Sequence, residues 1–159
     1  MTAPRTLASL LLALATNVPA LAGPRVAGWV EPAWIGDPPV VLPARLDTGA
    51  ERSSLEAGDI VLFDRDGREW VRFVLGMAGG RETTLERPVA GFAGPEASGD
   101  RPVVRMTLCV AGKRAEAEFV IADRSSRGYP VLIGRAFLRG DILVDPSRTF
   151  AAADACVGR

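Results

Sequence analysis

Short apolar runs that alternate with a period of two residues dominate the chain after residue 24 and constrain its fold most strongly. Each run is rich in β-branched or alternating apolar residues, and Gly, Pro or Asp separates it from the next run. The clearest runs are RVAGWVEPAWI, PPVVLPARL, DIVLFDRDGREWVRFVL, RPVVRMTLCVAG, KRAEAEFVIAD and DILVDPSRTFAAA. The pattern predicts an antiparallel all-β domain.

Turn residues predict how these strands are connected. Asp66-Gly67 lies between two apolar runs, and this dipeptide suits the positive φ angles of a tight hairpin turn. A second hairpin is expected near Gly112. Residues 89–100 are rich in Gly, Pro and Ala and predict a long loop. The segment GRAFL, from Gly134 to Leu138, predicts one short helix.

The N-terminus has the pattern of a secretory signal peptide over residues 1–22. Arg5 supplies a positive charge, LASLLLALA forms an apolar centre, and Ala20 to Ala22 fit a cleavage site. We expect export to the periplasm or secretion, with a mature domain over residues 23–159. A short membrane anchor is the alternative, but the apolar run is short for a span. After cleavage we expect no membrane association.

Composition removes several classes of chemistry. The 159 residues, 48% of them apolar, are enough for one globular domain with a core. Histidine is absent, which excludes Ser–His and Cys–His nucleophile pairs and imidazole metal ligands. Basic and acidic residues balance at 19 each, and the basic residues are scattered. Nucleic acid is therefore not an expected partner.

The chain has two cysteines, Cys109 in a predicted strand and Cys156 near the C-terminus. Export would place both in a compartment where disulfides persist. We expect a Cys109–Cys156 disulfide. The alternative is one buried strand thiol and one free thiol in the tail.

The segment ARLDTGAERSSL places Asp47 at the end of an apolar run and directly before Thr48 and Gly49. Glycine permits a sharp turn that brings backbone amides close to a carboxylate. The same residues are typical of a simple turn, in which Asp47 accepts a hydrogen bond from the amide two residues further on. This segment alone leaves both interpretations open.

A second motif, YPVLIGRAFL, favours a functional role for Asp47. It contains Leu132, Ile133 and Gly134, followed by Arg135. An Asp-Thr-Gly-Ala followed by apolar-apolar-Gly-Arg resembles the retropepsin-type aspartic proteases. In that fold the apolar-Gly segment packs beside the aspartate loop, and two such loops meet at a two-fold axis. The resemblance implies a retropepsin-like closed barrel, with one short helix after the apolar-Gly-Arg motif.

Six segments in the same order look like the bacterial family catalogued as ATP-dependent zinc proteases: AGWVEPAWI, ARLDTGAERSSLEA, FDRDGREWVRFVL, RPVVRMTL, ADRSSRGYPVLIGRAFL and ILVDPSRTF. The catalogue name does not fit the residues, because the chain has neither an HExxH zinc motif nor a GxxxxGK[ST] loop for ATP. We expect no metal and no cofactor. Where members of the family tend to have Thr and His, this chain has Arg52 and Glu56.

The resemblance implies that Asp47 is catalytic and that Thr48, Gly49 and Ala50 support its loop. Because the chain has one Asp-Thr-Gly, a pair of aspartates requires two chains, and we expect a homodimer. The two carboxylates would share one proton and activate a water molecule to attack a peptide bond. The expected substrate is a peptide or protein.

The resemblance also implies an ion pair between Arg135 and Glu51, the acid four residues after Asp47. We expect this pair to be partly buried, bidentate, and able to clamp the helix to the aspartate loop. The alternative is an exposed Arg135 with no fixed partner. The Asp66-Gly67 hairpin is the candidate for a flap over the cleft.

Three further groups of polar residues have simpler interpretations. The acidic side chains around the Asp66-Gly67 turn favour a hairpin over a calcium site. The run from Arg124 to Arg127 is expected to be a solvated loop. Asp141 and Asp145 are expected to cap the ends of a strand.

The sequence thus predicts an exported aspartic endopeptidase. An alternative function is a catalytically inactive retropepsin-fold module that binds peptides or regulates a partner, because a scaffold does not dictate its use. A third possibility is a monomeric structural domain in which Asp47 only forms a turn.

Overall fold

The computed structural model describes residues 23–94 and 101–157. The predicted signal peptide, and residues 95–100 of the predicted loop, lie outside these ranges. One α-helical turn, α1 (Arg135–Leu138), is present among the described residues. The strands in chain order are β1 (Arg25–Ile35), β2 (Val40–Asp47), β3 (Ser53–Glu56), β4 (Gly58–Arg65), β5 (Arg68–Gly76), β6 (Glu82–Pro88), β7 (Gly91–Ala93), β8 (Arg101–Val110), β9 (Lys113–Ala122), β10 (Val131–Gly134) and β11 (Ile142–Thr149).

Six strands close into a barrel in the order β1-β2-β10-β3-β9-β8, and β8 pairs back onto β1. The closing contact pairs Trp34 with Cys109 and Ile35 with Leu108. β11 extends the sheet beside β1, and β7 extends it beside β8. The predicted all-β, retropepsin-like barrel with one short helix is therefore confirmed.

The expectation of a purely antiparallel sheet is wrong. β1 pairs with β11, β2 with β10, and β3 with β9, and all three pairs are parallel. Parallel neighbours need long connections, so they join strands that are far apart in the sequence. An alternating pattern shows which residues face the core, but it does not show which strand lies alongside.

Both predicted hairpins are confirmed. Asp66 and Gly67 have φ angles of 55° and 73°, and the turn joins β4 to β5. Asp64 supports this turn, because its Oδ1 accepts a hydrogen bond from Gly67 N at 3.1 Å. Ala111 and Gly112 have φ angles of 49° and 77° and join β8 to β9. The β4–β5 hairpin and β6 form a separate three-stranded sheet.

Two other local predictions need correction. The predicted loop over residues 89–100 contains β7, whose residue Gly91 pairs with Val103 of β8. Asp145 does not cap an end of β11, because it lies inside this strand. Its Oδ1 accepts hydrogen bonds from both Ser147 N and Ser147 Oγ. This local bond coincides with a register shift between β1 and β11.

The barrel interior is filled by alternating apolar side chains from its strands, as a half-buried strand requires. Its fully buried larger residues include Ile35, Leu55, Val104, Leu108, Phe119, Ile121 and Ile133. None of the helices in the described part of the chain is long and apolar enough to span a membrane.

Two contacts fasten the C-terminal segment to the barrel. The fully buried carboxyl group of Glu31 accepts hydrogen bonds from Gly28 N at 2.6 Å and from Ala152 N at 3.0 Å. These donors satisfy polar oxygens whose burial would otherwise be costly. A disulfide joins Cys109 of β8 to Cys156 in the final 3-10 turn. The segment after β11 is therefore part of the packed domain.

Candidate active site

The two sequence motifs meet at one edge of the barrel. Asp47 is the last residue of β2, and Gly134 is the last residue of β10. Because these strands are parallel neighbours, their carboxyl ends lie side by side, and the register pairs Asp47 directly with Gly134. Leu132 and Ile133, the apolar part of the second motif, are buried in β10 and hold this strand between β2 and β3.

Gly134 lies too close to the aspartate loop for any side chain. A Cβ atom at this position would come within 2.6 Å of the carbonyl oxygens of both Glu51 and Arg52. Gly134 N donates a buried hydrogen bond to Ser53 Oγ at 3.1 Å. The absence of a side chain thus lets the backbones of the two motifs come into contact.

The start of α1 is joined to the aspartate loop by main-chain hydrogen bonds. Arg135 N donates to Ala50 O at 2.8 Å, and Ala136 N donates to Glu51 O at 3.1 Å. The Arg135 side chain adds a third bond, from Nη1 to the Gly49 carbonyl at 3.0 Å. Because the first amides of a helix lack partners within the helix, these carbonyls satisfy them and fix the loop against α1.

The structure joins Arg135 to Glu51, with Nε 2.6 Å from Oε2. Arg139 lies 3.6 Å from Oε1 of the same carboxylate, so two arginines share Glu51. The expected partial burial is not found, because the Arg135 and Glu51 side chains are 45% and 51% exposed. α1 is only one turn long, and it leaves this pair at the barrel surface.

The Asp47 carboxylate accepts hydrogen bonds on both oxygens. Oδ1 accepts from Gly49 N at 2.9 Å and from Ala50 N at 3.3 Å. Oδ2 forms an ion pair with Arg45 Nη2 at 2.5 Å. The amide bonds form the predicted turn, and they also orient the carboxylate at the barrel edge.

These contacts lower the pKa of the Asp47 carboxyl below its ordinary value. The hydrogen bond from Arg45 is the largest cause, burial opposes it, and the amides of Gly49 and Ala50 add to the lowering. Arg45 was not among the predicted site residues. Its position two residues before Asp47 on one strand, and hence on the same face, is the sequence signal that could have identified it.

Thr48 is exposed and, with Asp47, lines a shallow pocket of about 400 Å³. The residues that line the pocket are Trp29, Arg45, Leu46, Asp47, Thr48, Val144 and Pro146. Within the described ranges, no group of three or more Cys, Asp or Glu side chains is arranged to hold a metal ion.

The prediction of a solvated loop is wrong for Arg124. Its Nη1 donates to Ser54 Oγ at 2.7 Å, and burial is the largest cause that lowers its pKa. Leu132 pairs with both Arg45 and Ser54, so these three residues lie in one row across β2, β10 and β3. Arg124 is therefore close to Asp47, whose charge raises the Arg124 pKa while that of Arg45 lowers it.

An Asp-Thr-Gly loop at the end of a barrel strand, with an apolar-Gly segment in register beside it, defines the retropepsin-like class. The family model described as retropepsin-like aspartic endopeptidase RimB matches residues 26–155. The chain belongs to this RimB-like family.

Curated relatives carry a different name. A protein of Shewanella pealeana named "probable alpha-L-glutamate ligase" is 32% identical over 131 residues, which are 76% of this chain and 29% of that protein. A protein of the same name from Parasynechococcus marenigrum is 33% identical over 76% of this chain and 28% of its own length. The chain thus spans less than a third of these relatives.

A solved structure from Legionella pneumophila also has this fold. That protein, described as having unknown function, is 30% identical and superposes with a TM-score of 0.70. The match covers 80% of this chain and 98% of the Legionella chain. In the Legionella structure, this domain therefore makes up almost the whole chain.

Proposed function

We propose that the protein is an aspartic endopeptidase whose active site combines the Asp47 residues of two chains. The observation that carries the proposal is the Asp47 carboxylate itself. It is 24% exposed at the barrel edge, is oriented by the amides of Gly49 and Ala50, and lies in register with Gly134. Membership of a family described as aspartic endopeptidases supports the same chemistry.

The reaction follows from the sharing of one proton by two carboxylates. Like charges in close contact cannot both ionise, so one Asp47 is a carboxylate and the other a carboxylic acid. The carboxylate accepts a proton from water, whose oxygen attacks the peptide carbonyl carbon. The carboxylic acid donates a hydrogen bond to the carbonyl oxygen, where negative charge develops. A proton then passes to the leaving nitrogen as the C–N bond breaks.

A homodimer is part of the proposal because one chain supplies one aspartate at this edge. In a symmetric dimer the same surface of each chain faces the axis, so two Asp47 loops can meet there. The exposed position of Thr48 beside Asp47 supports a role for Thr48 in contacts between the two loops.

We propose export to the periplasm or secretion as the location. Two independent features support it. The first is the signal-peptide pattern of the N-terminal sequence. The second is the Cys109–Cys156 disulfide, a bond that persists in oxidising compartments.

Peptides with acidic side chains are the proposed substrates. Arg45 and Arg124 place two positive charges near Asp47, and a guanidinium group recognises carboxylates well. The name of the curated relatives, which refers to glutamate ligation, supports the same preference. A matched pair of peptides that differ only in Glu or Gln next to the scissile bond tests this preference, and equal cleavage rates would contradict it.

Replacing Asp47 tests the proposed function. Asp47→Asn is nearly isosteric, so the fold and the dimer should survive while cleavage of a glutamate-rich peptide is lost. Asp123→Asn is the matched control, since Asp123 is another exposed aspartate whose Oδ1 accepts a bond from the amide two residues on, at 2.9 Å from Ser125 N. Mass spectrometry measures cleavage, and sedimentation measures the dimer.

Three results would contradict the proposal. They are retained cleavage by Asp47→Asn, loss of cleavage with EDTA, and specific activity that does not fall when the protein is diluted to a monomer. A wild-type dimer that binds the peptide without cleaving it would favour the inactive binding module.

A further inference from the structure

We propose that Arg45 is a positioning residue that holds Asp47 as a carboxylate and thereby sets the upper pH limit of the Asp47 pair. The contact is a property of the single chain. Its catalytic consequence rests on the proposed function. The two parts are tested separately below.

The geometry favours the ionised form of Asp47 at both carboxylate oxygens. Arg45 Nη2 lies 2.5 Å from Oδ2, and the amides of Gly49 and Ala50 donate to Oδ1. All three partners are donors, and a guanidinium group has no acceptor for a carboxylic-acid proton. Proton uptake at Oδ2 neutralises Asp47 and removes its attraction to the Arg45 guanidinium, so Arg45 opposes protonation. The Arg45 side chain is 41% exposed, so solvent weakens this attraction without removing it.

Among the residues that the structure describes, Arg45 is the charged side chain in direct contact with Asp47, and other charges act from further away. Arg124, from the segment after β9, is close enough for its pKa to respond to both Arg45 and Asp47. Glu56, at the end of β3, acts in turn on Arg124. When Arg45 is removed, Arg124 still acts on Asp47. The change in the Asp47 pKa therefore reports the effect of Arg45 alone, in the continued presence of Arg124.

The remaining elements around Asp47 bring less charge. Trp29 of β1 and Val144 of β11 line the pocket with uncharged side chains. From α1, Arg135 reaches the loop at the Gly49 carbonyl, and its charge is balanced by Glu51. Removal of Arg45 should therefore shift the pKa of the Asp47 carboxyl more than removal of any of these other groups.

The consequence for catalysis follows from the number of protons on the pair. The pair works with one shared proton and stops when both carboxylates are ionised. A cation beside each Asp47 favours the doubly ionised state, so Arg45 lowers the pH at which activity is lost. An uncharged residue at position 45 should raise this pH.

The experiment compares Arg45→Gln, Arg45→Lys and Arg105→Gln with the wild type. Arg105 is the matched control, because it is an exposed strand arginine paired with Glu118 at 3.0 Å. NMR follows the Asp47 carboxyl carbon through a pH titration, and peptide cleavage is measured over the same pH range. We expect Arg45→Gln to raise the Asp47 midpoint by about one pH unit. Arg45→Lys should fall between this variant and the wild type, and Arg105→Gln should match the wild type.

The alkaline limit of cleavage should move upwards with the midpoint. An unchanged or lowered Asp47 midpoint in Arg45→Gln would overturn the proposal. A raised midpoint with an unchanged alkaline limit would overturn its catalytic part. If the wild type cleaves no peptide, the proposed function fails, while the titration still decides whether Arg45 holds Asp47 ionised.

Discussion

At the scale of single residues, the turn and the catalytic interpretations of Asp47 are not alternatives. Its Oδ1 accepts the Gly49 amide, as a simple turn requires, and its carboxylate is also partly exposed at the barrel edge beside Gly134. The turn is what fixes the direction of the carboxylate. A short-range hydrogen bond that ends a strand can thus also orient a functional group.

Gly134→Ala tests how closely the two motifs are packed. The added Cβ would meet main-chain atoms of Glu51 and Arg52 at 2.6 Å, and main chain cannot move aside cheaply. We expect the free energy of unfolding to fall by about 1–3 kcal/mol in urea denaturation. Gly76→Ala is the control, because no atom lies within 4 Å of its added Cβ, and it should change stability by less than about 0.5 kcal/mol. Equal stabilities of the two variants would contradict this account.

At the scale of elements, two side-chain contacts hold β10 and α1 in place, one of them buried and the other exposed to solvent. Ser53 is 3% exposed and accepts the buried amide of Gly134, whereas Arg135 and Glu51 form their pair in solvent. Ser53→Ala leaves a buried amide without a partner and should cost about 1–3 kcal/mol. Arg135→Met should cost about 0–1 kcal/mol, because exposed ion pairs contribute little. Urea denaturation of both variants measures which one loses more free energy of unfolding. A larger loss for Arg135→Met than for Ser53→Ala would contradict this account.

The sequence predicted the long strands and the tight turns, because both depend on local features. β1, β8 and β9 are runs of ten or eleven residues rich in apolar side chains, and the two predicted hairpin turns contain glycines with positive φ. β3 and β10 have only four residues each, too few for a clear period. Their parallel partners lie far away in the sequence, so the pairing depends on the whole fold.

In the candidate site, too, the features set by local sequence could be predicted and the contacts set by the whole fold could not. The positions of Asp47 and Gly134 could be predicted, because each belongs to a short motif. Arg45 resembled an ordinary outward-facing strand residue, and its contact with Asp47 depends on the side-chain conformation. Arg124 reaches Ser54 across 70 residues of sequence, a contact that no local pattern encodes.

At the scale of the whole molecule, the barrel is closed by β1 and then secured by the segment that follows β11. β1 pairs with β2, β8 and β11, and its buried Glu31 binds Ala152 of the final segment. β1 therefore connects both ends of the domain. The Cys109–Cys156 disulfide lies at the same junction, because Cys109 is paired with Trp34 of β1.

Removal of this disulfide should destabilise the domain without changing its fold. The bridge spans 47 residues, so it restricts the unfolded chain, and its loss should lower the free energy of unfolding by about 2–4 kcal/mol. The test compares urea denaturation of the wild type and of a Cys109→Ala/Cys156→Ala double variant, each with and without dithiothreitol. The reductant should lower the wild-type midpoint and leave the double variant unchanged, since that variant has no bond to reduce. Equal midpoints for the oxidised wild type and the double variant would show that the bridge contributes nothing to stability.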